Sequence, residues 1–253
     1  MFQAKAKVIK NIEVAPKYYK IVLSCPRIAE RAKPGQFLNV KITNGYEPLL
    51  RRPFGVHRLK SANIEVFFEV VGKGTEILSQ RRAGEYLDII GPLGNGFSLP
   101  DARRSILVAG GMGVAPLLFL AQRLRSRQVT VLIGAKTKKQ ILCEKEFNEL
   151  GCEVKIATDD GSAGFKGYVS DLLKNILSTT DYGVSTIFAC GPKPMLKEIS
   201  SISKKYEIPT QISLEEHMGC GIGACLGCVV DTKQGFKRVC KEGPVFLADD
   251  IIW

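Results

Sequence analysis

Four cysteines crowd into a short stretch of the sequence, where their spacing could bind a metal centre. Cys220, Cys225, Cys228 and Cys240 follow the order C-x4-C-x2-C-x11-C, and C-x4-C-x2-C…C is the spacing of plant-type [2Fe–2S] sites. Such a loop has to aim its thiolates inward and let backbone N–H groups approach the bridging sulfides. Small residues permit that approach, and the loop contains Gly219, Gly221, Gly223, Ala224 and Gly227. The pattern predicts an iron–sulfur cluster bound by the four cysteines.

Two other states of these cysteines stay open. A structural zinc site also uses four cysteines, although it usually pairs two short C-x2–4-C units. This sequence has one C-x2-C, and Cys240 stands apart from it. Free thiols are the third alternative. The remaining cysteines are scattered at Cys25, Cys143, Cys152 and Cys190, a distribution that does not indicate a disulfide framework.

Two loops that follow apolar runs have the composition of a dinucleotide site. A glycine-rich turn between an apolar run and an apolar helical segment exposes backbone N–H groups to a pyrophosphate, although such turns also join strands to helices without a ligand. Both loops follow strands of one predicted sheet, so they should converge at its carboxyl edge. The candidate residues are Gly110, Gly111, Gly113, Val114, Ala115, Pro116, Gly191 and Pro192. Cys190 is our candidate for packing beside a nicotinamide, and a buried structural cysteine is the alternative.

The choice between NAD and NADP depends on two charged groups and stays open. Asp159 and Asp160 follow a predicted strand, where acidic side chains near an adenosine ribose would favour NAD; a plain turn is the alternative. Lys136, Lys138 and Lys139 follow the strand after the glycine loop and could accept a 2′-phosphate.

The elements that must position these residues change character along the chain. Residues 1–100 contain short alternating strands, which predict a small antiparallel β-barrel. Residues 72–74 are expected to be a turn between two of these strands, and residues 91–96 are expected to be an irregular linker. Residues 101–211 alternate strands and helices, which predicts a parallel α/β sheet. Residues 212–253 are too few to bury a hydrophobic core of their own, so we expect them to form a small domain that a bound metal centre stabilises. In the α/β domain we expect strands at 105–109, 129–133, 154–157 and 186–189, and helices at 114–124, 144–150, 169–177 and 194–206.

Composition and charge narrow the class of protein. The 253 residues are 45% hydrophobic and 24% charged, an ordinary globular mix that excludes disordered and fibrous proteins. We find no membrane span and no signal peptide, and expect a cytoplasmic protein. The net charge is +11, and residues 1–60 carry 13 Lys+Arg against 3 Glu. An anionic partner such as nucleic acid, a membrane or a phosphate-bearing cofactor is one explanation, and a solvated basic face is the other.

Together these parts resemble the ferredoxin-NADP reductase superfamily, which joins a flavin-binding barrel to a nucleotide-binding sheet. Arg52-Pro53-Phe54-Gly55 occupies the place of its Arg-x-Tyr-Ser/Thr signature. The resemblance implies that Arg52 pairs with the FAD pyrophosphate, that Phe54 lies against the flavin, and that Gly55 replaces the signature hydroxyl. The implied FAD-binding residues are Arg52, Pro53, Phe54, Gly55, Phe67, Phe68, Glu69, Gly74 and Thr75.

Within that superfamily the chain is similar, nearly end to end, to electron-transfer subunits of two-component, NAD-linked dihydroorotate dehydrogenases. The resemblance implies a relay through [2Fe–2S] and FAD to NAD⁺ in pyrimidine biosynthesis. It implies an FMN-containing catalytic partner that oxidises dihydroorotate, with two copies of each subunit and no nucleic acid. A related NAD(P)H oxidoreductase subunit serving a ferredoxin or sulfide partner is the alternative. A zinc-stapled nucleic-acid-binding protein is the alternative from another class.

Overall fold

The computed structural model describes residues 1–99, 104–124, 127–179 and 183–253. The described chain divides into two compact units. The first contains Met1–Gly96, Glu216–Val230 and Lys237–Pro244, and the second contains Phe97–Glu215, Asp231–Phe236 and Val245–Trp253. The predicted boundary between residues 100 and 101 lies outside the described residues, and the predicted segment 212–253 contributes to both units. Among the helices of the described ranges, none has the length and apolar character of a membrane span.

A seven-stranded antiparallel sheet forms the first unit. Its strands are β1 (Phe2–Ala15), β2 (Tyr18–Ser24), β3 (Phe37–Lys41), β4 (Arg52–Gly55), β5 (Arg58–Lys60), β6 (Asn63–Glu69) and β7 (Tyr86–Leu93). They are arranged in the order β4-β3-β7-β1-β2-β6-β5. The edge strands β4 and β5 are nearly consecutive in the chain, so the sheet must curl until its edges meet. Phe54 of β4 accordingly packs edge-on against Phe68 of β6, with ring centroids 5.7 Å apart. The predicted antiparallel, barrel-like architecture is confirmed.

Alternation along β1 separates the core of the first unit from its basic surface. Ala6 and Val8 are fully buried, whereas Lys5 and Lys7 between and beside them are exposed. Successive side chains of a strand point to opposite faces, which explains this pattern. Part of the positive charge of residues 1–60 therefore lies on a solvated strand face.

Two local predictions for the first unit are wrong. Residues 91–93, expected in a linker, belong to β7, because Gly91 pairs with Phe2 and its lack of a side chain leaves room for Leu38, whose Cδ2 would lie 2.5 Å from an added Cβ. Residues 72–74, expected as a turn between strands, instead begin a helix. Two short helices join the strands, α1 (Pro26–Ala29) and α2 (Lys73–Ser79). Thr75 stabilises the start of α2, since its Oγ1 accepts from the backbone N–H of Val71 at 3.0 Å.

A second seven-stranded sheet forms the second unit. Its strands are β8 (Arg104–Gly110), β9 (Gln128–Ala135), β10 (Glu153–Thr158), β11 (Phe165–Lys166), β12 (Thr186–Cys190), β13 (Thr210–Ser213) and β16 (Val245–Leu247). They follow the order β11-β10-β9-β8-β12-β13-β16, and all pairs are parallel except β13 with β16. The helices are α3 (Val114–Arg123), α4 (Glu144–Glu149), α5 (Val169–Thr179) and α6 (Lys193–Lys205). All the predicted strands and helices of this domain are found, with ends shifted by at most two residues.

The order of strands in the second sheet fixes where a ligand can bind. From β8 the chain moves outward through β9, β10 and β11, and then returns to the other side of β8 with β12 and β13. Ligands of open α/β sheets bind beyond the carboxyl ends of the strands at such a reversal. The reversal lies between β8 and β12, which end at Gly110 and Cys190.

The C-terminal part of the chain adds small elements to both units. In the first unit, β14 (Val229–Val230) and β15 (Lys237–Arg238) form an antiparallel ribbon. In the second, β16 extends the parallel sheet by one antiparallel strand, with Ser213 opposite Val245. All four clustered cysteines lie in the first unit.

Candidate functional site

The cysteines that the spacing singled out form two pairs at the end of the first unit. The backbone N–H of Cys220 donates to Cys225 Sγ and that of Cys225 to Cys220 Sγ, both at 3.4 Å. Likewise, the N–H of Cys240 donates to Cys228 Sγ at 3.4 Å. Cys228 and Cys240 are buried, whereas Cys225 is exposed. A two-iron cluster takes two protein ligands on each iron, and this pairing fits it. Among the described residues, no three His, Cys, Asp or Glu side chains converge on one metal ion.

Backbone N–H groups surround the sulfur of Cys220. Ala224 donates to its Sγ at 3.2 Å, and Ile222 donates at 3.4 Å. Burial raises the pKa of this thiol, but the N–H groups of Ile222, Cys225 and Ala224 outweigh burial, and the pKa falls to about 6. At Cys240, burial and the neighbouring Cys228 raise the pKa to about 12. Metal ligation requires the thiolate, so the loop provides at Cys220 the donor chemistry that an iron–sulfur cluster needs.

Glycines let the backbone of this loop turn back on itself. Gly221 and Gly223 have φ of +69° and +85°, a region that other residues enter at a cost. A Cβ on Gly223 would lie 2.6 Å from the side chain of Lys241, and one on Gly219 would lie 3.2 Å from Cys225 Sγ. Side chains at Gly219 and Gly223 would therefore crowd the neighbouring residues of this loop.

Three polar residues that sequence reasoning missed fasten the loop. Asn39 of β3 donates from Nδ2 to the carbonyl oxygen of Cys220 at 2.9 Å. Arg238 donates from Nη1 to the carbonyl oxygen of Gly223 at 2.7 Å. Glu242 accepts from Arg238 Nε at 3.0 Å and pairs with its Nη2, and these bonds lower the pKa of Glu242 to about 2. The segment that carries Cys240 is thereby joined to the loop that carries Cys220.

The predicted flavin motif lies on β4 of the same unit. Arg52 donates from Nη1 to the carbonyl oxygen of Leu50 at 2.8 Å, and an added Cβ on Gly74 would lie 3.2 Å from Arg52 Nε. The fold therefore brings the guanidinium beside the first turn of α2, which also contains Thr75. First-turn N–H groups have no partner within a helix and can donate to phosphate. Pro53 and Gly55 flank Phe54 on β4.

The two aromatic residues of β6 that were predicted beside the flavin, Phe67 and Phe68, point to opposite faces of the strand. Phe68 packs against Phe54, whereas Phe67 packs against His57 with ring centroids 5.3 Å apart. Alternation along β6 separates the two rings. Glu69 ends the strand and interacts with Tyr18, whose pKa is raised by burial and then by this carboxylate.

The two predicted nucleotide loops meet at the carboxyl edge of the second sheet. A Cβ on Gly113 would lie 1.9 Å from the carbonyl oxygen of Cys190, and one on Gly191 would lie 3.1 Å from the backbone of Gly110. Gly111 faces open space at φ +53°. Val114, Ala115 and Pro116 are buried in the first turn of α3, and Pro192 precedes α6. The two loops therefore touch through their backbones, and the side chain of Met195 lies against both, 2.6 Å from an added Cβ on Gly110 and 2.5 Å from one on Gly191.

Charged groups at the ends of β9 and β10 lie side by side. Asp160 accepts from the N–H and Oγ of Ser162 at 2.9 and 2.6 Å, which lowers the pKa of this carboxyl. Ser162 Oγ in turn accepts from the N–H of Lys138 at 2.7 Å. Asp159 is exposed next to this turn.

Cys190 is fully buried at the end of β12. Burial, followed by the charge of Glu215, raises the pKa of its thiol well above the ordinary value.

Two family models match parts of the chain that these sites occupy. Residues 215–252 match the iron–sulfur cluster binding domain of dihydroorotate dehydrogenase B. Residues 107–201 match an oxidoreductase NAD-binding domain. The first match contains all four paired cysteines, and the second contains both glycine loops. The predicted iron–sulfur and nicotinamide chemistry is therefore confirmed at the level of these domains.

Solved structures show the fold of the whole chain. A chain of an NADH-dependent reduced ferredoxin-NADP oxidoreductase, described for flavin-based electron bifurcation, is 29% identical with a TM-score of 0.88, over 99% of this chain and 90% of that one. A ferredoxin NADP⁺ reductase from Neisseria gonorrhoeae is 19% identical with a TM-score of 0.69, over 80% of this chain and 91% of that one. The fold is that of the ferredoxin-NADP reductases.

Curated relatives cover nearly the full chain. A protein of Desulforamulus reducens is 45% identical over 98% of this chain and 97% of its own length. A protein of Geobacillus sp. (strain WCH70) is 41% identical over 100% of this chain and 99% of its own length. Both are named dihydroorotate dehydrogenase B (NAD(+)), electron transfer subunit. With its paired cysteines, glycine crevice and reductase fold, this chain belongs to that family of electron transfer subunits.

Proposed function

We propose that this chain passes electrons from an FMN-containing, dihydroorotate-oxidising subunit through a [2Fe–2S] cluster and FAD to NAD⁺. FAD, when bound, exchanges a hydride with nicotinamide and single electrons with an iron–sulfur centre. Cys220, Cys225, Cys228 and Cys240 bind the cluster in this proposal. The barrel of residues 1–100 binds FAD, residues 101–211 bind NAD, and residues 212–253 carry the cluster, in the cytoplasm.

One observation carries the proposal, namely that the cysteine loop is hydrogen-bonded to the sheet that contains the flavin motif. Asn39, which donates to the carbonyl oxygen of Cys220, is the register partner of Pro53 in the flavin motif. Adjacent strands lie about 4.8 Å apart. A cluster at the loop and a flavin at β4 are thus held by contiguous parts of one compact unit, as a relay of single electrons requires.

The side chains of the chain bind and orient the cofactors in this proposal. Arg52 donates two hydrogen bonds to the FAD pyrophosphate. The first turn of α2 contacts the same pyrophosphate through the backbone N–H groups of Gly74 and Thr75. Phe54 packs against the flavin ring, and the strand segment Phe67, Phe68 and Glu69 runs beside the same cofactor. The loops at Gly111 and Gly191 bind the NAD pyrophosphate, and Cys190 packs near the nicotinamide. Burial of the Cys190 thiol keeps it protonated and uncharged there.

Separation of the two half-reactions tests the proposal. The isolated chain should reduce a dye with NADH but should not oxidise dihydroorotate, because that oxidation takes place on the partner. Mixed with an FMN-containing catalytic subunit, it should form a complex with two copies of each chain and couple dihydroorotate to NAD⁺. Light scattering and paired assays measure both. Dihydroorotate turnover by the isolated chain would contradict the two-component scheme.

A ferredoxin-linked role is the second candidate. It is favoured by the similarity to the reduced ferredoxin-NADP oxidoreductase, at 29% identity over 99% of this chain. If no dihydroorotate-oxidising subunit binds but reduced ferredoxin reduces the bound flavin, this role replaces the first. A sulfide-linked partner is tested in the same assay. The zinc-stapled nucleic-acid-binding alternative is set aside, because the chain belongs to an electron transfer family.

Removal of the Arg52 guanidinium should weaken FAD binding. Arg52→Ala leaves one charge-assisted contact to phosphate unmade, which costs about 2 to 3 kcal/mol. Fluorescence of released flavin after gel filtration measures retention. Arg27→Ala is the matched control, since Arg27 lies in the same unit but stacks over Phe2 at 4.2 Å. Full flavin content in Arg52→Ala would place the pyrophosphate elsewhere.

We expect NADH to reduce the flavin faster than NADPH does. Ser162 engages Asp160 Oδ1, so the exposed Asp159 is the carboxylate better placed to accept from a ribose hydroxyl. Asp159→Asn should lower the NADH preference about tenfold, the factor of one hydrogen bond to a charged group. Stopped-flow reduction with each nucleotide measures this, with Asp171→Asn as the control. A preference for NADPH in the unaltered chain would assign the site to Lys136, Lys138 and Lys139 instead.

A further inference from the structure

We propose that Asn39 is a positioning residue for the iron–sulfur cluster, because its buried amide holds the peptide that follows the first cysteine ligand. The inference rests on the cysteine ligation proposed above. It assigns a role to a barrel residue that lies 181 positions away from Cys220 in the sequence.

The surroundings of Asn39 distinguish it from an ordinary strand residue. It lies at the centre of β3, where four successive residues are buried, and it is itself only 1% exposed. A buried amide in such a strand must find hydrogen-bond partners, since an unmet polar group is costly. Nδ2 meets this need with the carbonyl oxygen of Cys220 at 2.9 Å. The amide therefore points at the cysteine loop rather than into the apolar core.

Gly221 shows how closely the loop sits on this amide. A Cβ added to Gly221 would lie 2.4 Å from Asn39 Nδ2 and 2.9 Å from its Cγ. The carbonyl of Cys220 and the N–H of Gly221 belong to one planar peptide unit. One hydrogen bond and one tight contact thus fix the orientation of this peptide.

The fixed peptide stands at the start of the turn that surrounds Cys220 Sγ. Ile222, Ala224 and Cys225 follow it directly and direct their N–H groups at that sulfur, at 3.2 to 3.4 Å. Hydrogen bonds to cluster sulfurs are among the factors that set the reduction potential of iron–sulfur centres. Rotation of the Cys220–Gly221 peptide would re-aim these donors.

The other side of Asn39 is anchored in the barrel. Its backbone pairs with Pro53 of β4 and Ile90 of β7. Its carbonyl oxygen accepts from Arg51 at 3.5 Å, and Arg51 forms an ion pair with Asp88 at 2.8 Å. A residue fixed on both sides can transmit the position of the flavin strand to the cluster loop.

Asn39→Ala tests the role against Asn11→Ala as the matched control. Asn11 of β1 also donates its amide to backbone carbonyl oxygens, those of Leu78, Ser79 and Arg81 at 2.9 to 3.0 Å, away from the cysteine loop. Both variants lose an amide from the same sheet. We measure the electron paramagnetic resonance spectrum of the reduced cluster, its midpoint potential, and the rate of iron loss to a chelator.

In Asn39→Ala we expect shifted g-values, a changed midpoint potential and iron loss about fivefold faster, the factor of one ordinary hydrogen bond. Asn11→Ala should keep all the cluster properties, even where it lowers the melting temperature. A spectrum and iron-loss rate equal to those of the unaltered chain would overturn the inference.

Two further outcomes are informative. If Asn39→Ala does not fold, Gly221→Ala disturbs the same contact from the buried start of the cysteine loop and should shift the cluster spectrum; an unshifted spectrum overturns the inference. If the unaltered chain binds no iron, the cluster assignment under the proposed function fails instead. Iron analysis of the unaltered chain therefore separates the two failures.

Discussion

Replacement of Cys228 by serine is expected to remove the iron–sulfur cluster while FAD stays bound. The unaltered chain should contain about two irons, the count of one [2Fe–2S] centre. Cys228 is 3% exposed and is paired with Cys240, so its loss deprives one iron of half its protein ligands. Iron content should fall to near zero, and the visible bands of the cluster should disappear from the spectrum.

The same variant separates the two activities of the complex. Coupling of dihydroorotate to NAD⁺ should be abolished, because electrons enter through the cluster. Dye reduction by NADH should persist, since the dye can draw electrons from FAD. Cys152→Ser is the matched control: this cysteine is 9% exposed and lies in the other unit, and the control should keep its iron. Stoichiometric zinc in place of iron in the unaltered chain would contradict the cluster assignment.

Gly113→Ala should be the most damaging single-methyl change in the nucleotide crevice. Its φ of −58° suits any residue, so conformational freedom is not the reason for this glycine. The added Cβ would lie 1.9 Å from the carbonyl oxygen of Cys190, a backbone atom held in β12. We expect the free energy of unfolding to fall by about 3 kcal/mol, the upper end for overpacking, and NADH binding to weaken with it.

Gly111→Ala is the control for this change, because Gly111 has a positive φ but no close contact, whereas Gly113 has a close contact but an ordinary φ. Gly111 has φ +53° and nothing within 4 Å of an added Cβ. It should therefore lose only the conformational preference, about 1 kcal/mol. Urea unfolding compares the two variants, and NADH titration is applied to Gly113→Ala alone, because Gly111 lies in the proposed pyrophosphate site. Equal losses in both would show that the contact between Gly113 and Cys190 is not tight.

The parts predicted from sequence are those whose signal is local. Cys220, Cys225 and Cys228 lie within one loop, so their spacing alone is enough to indicate an iron–sulfur site. The second sheet was predicted well, because its central strands β8 and β12 contain continuous apolar runs that are each followed by an amphipathic or apolar helix. The glycine loops were found for the same reason. Their mutual contact, between Gly113 and Cys190, follows from parallel strand order rather than from either loop by itself.

The parts that were missed depend on distant or ambiguous signals. Asn39 is one polar residue in an apolar strand, and nothing near it in sequence indicates that its partner is Cys220. The four-residue spacing of Arg238 and Glu242 is visible, but that spacing usually indicates a helix, whereas here it closes a turn. The start of α2 was taken for a turn because Gly72 and Gly74 are poor helix formers, and the capping bond of Thr75 was not anticipated.

The chain passes between the two units five times, after residues 96, 215, 230, 236 and 244. No single cleavage of the backbone can therefore yield two fragments that each contain a whole unit. The stretch between Cys228 and Cys240 includes Asp231–Phe236, which belongs to the second unit. Under the proposed ligation, iron bound by the four sulfurs closes a loop of the chain that includes this segment of the second unit. Metal binding and the folding of that segment are then thermodynamically linked, although none of the four cysteines belongs to the second unit.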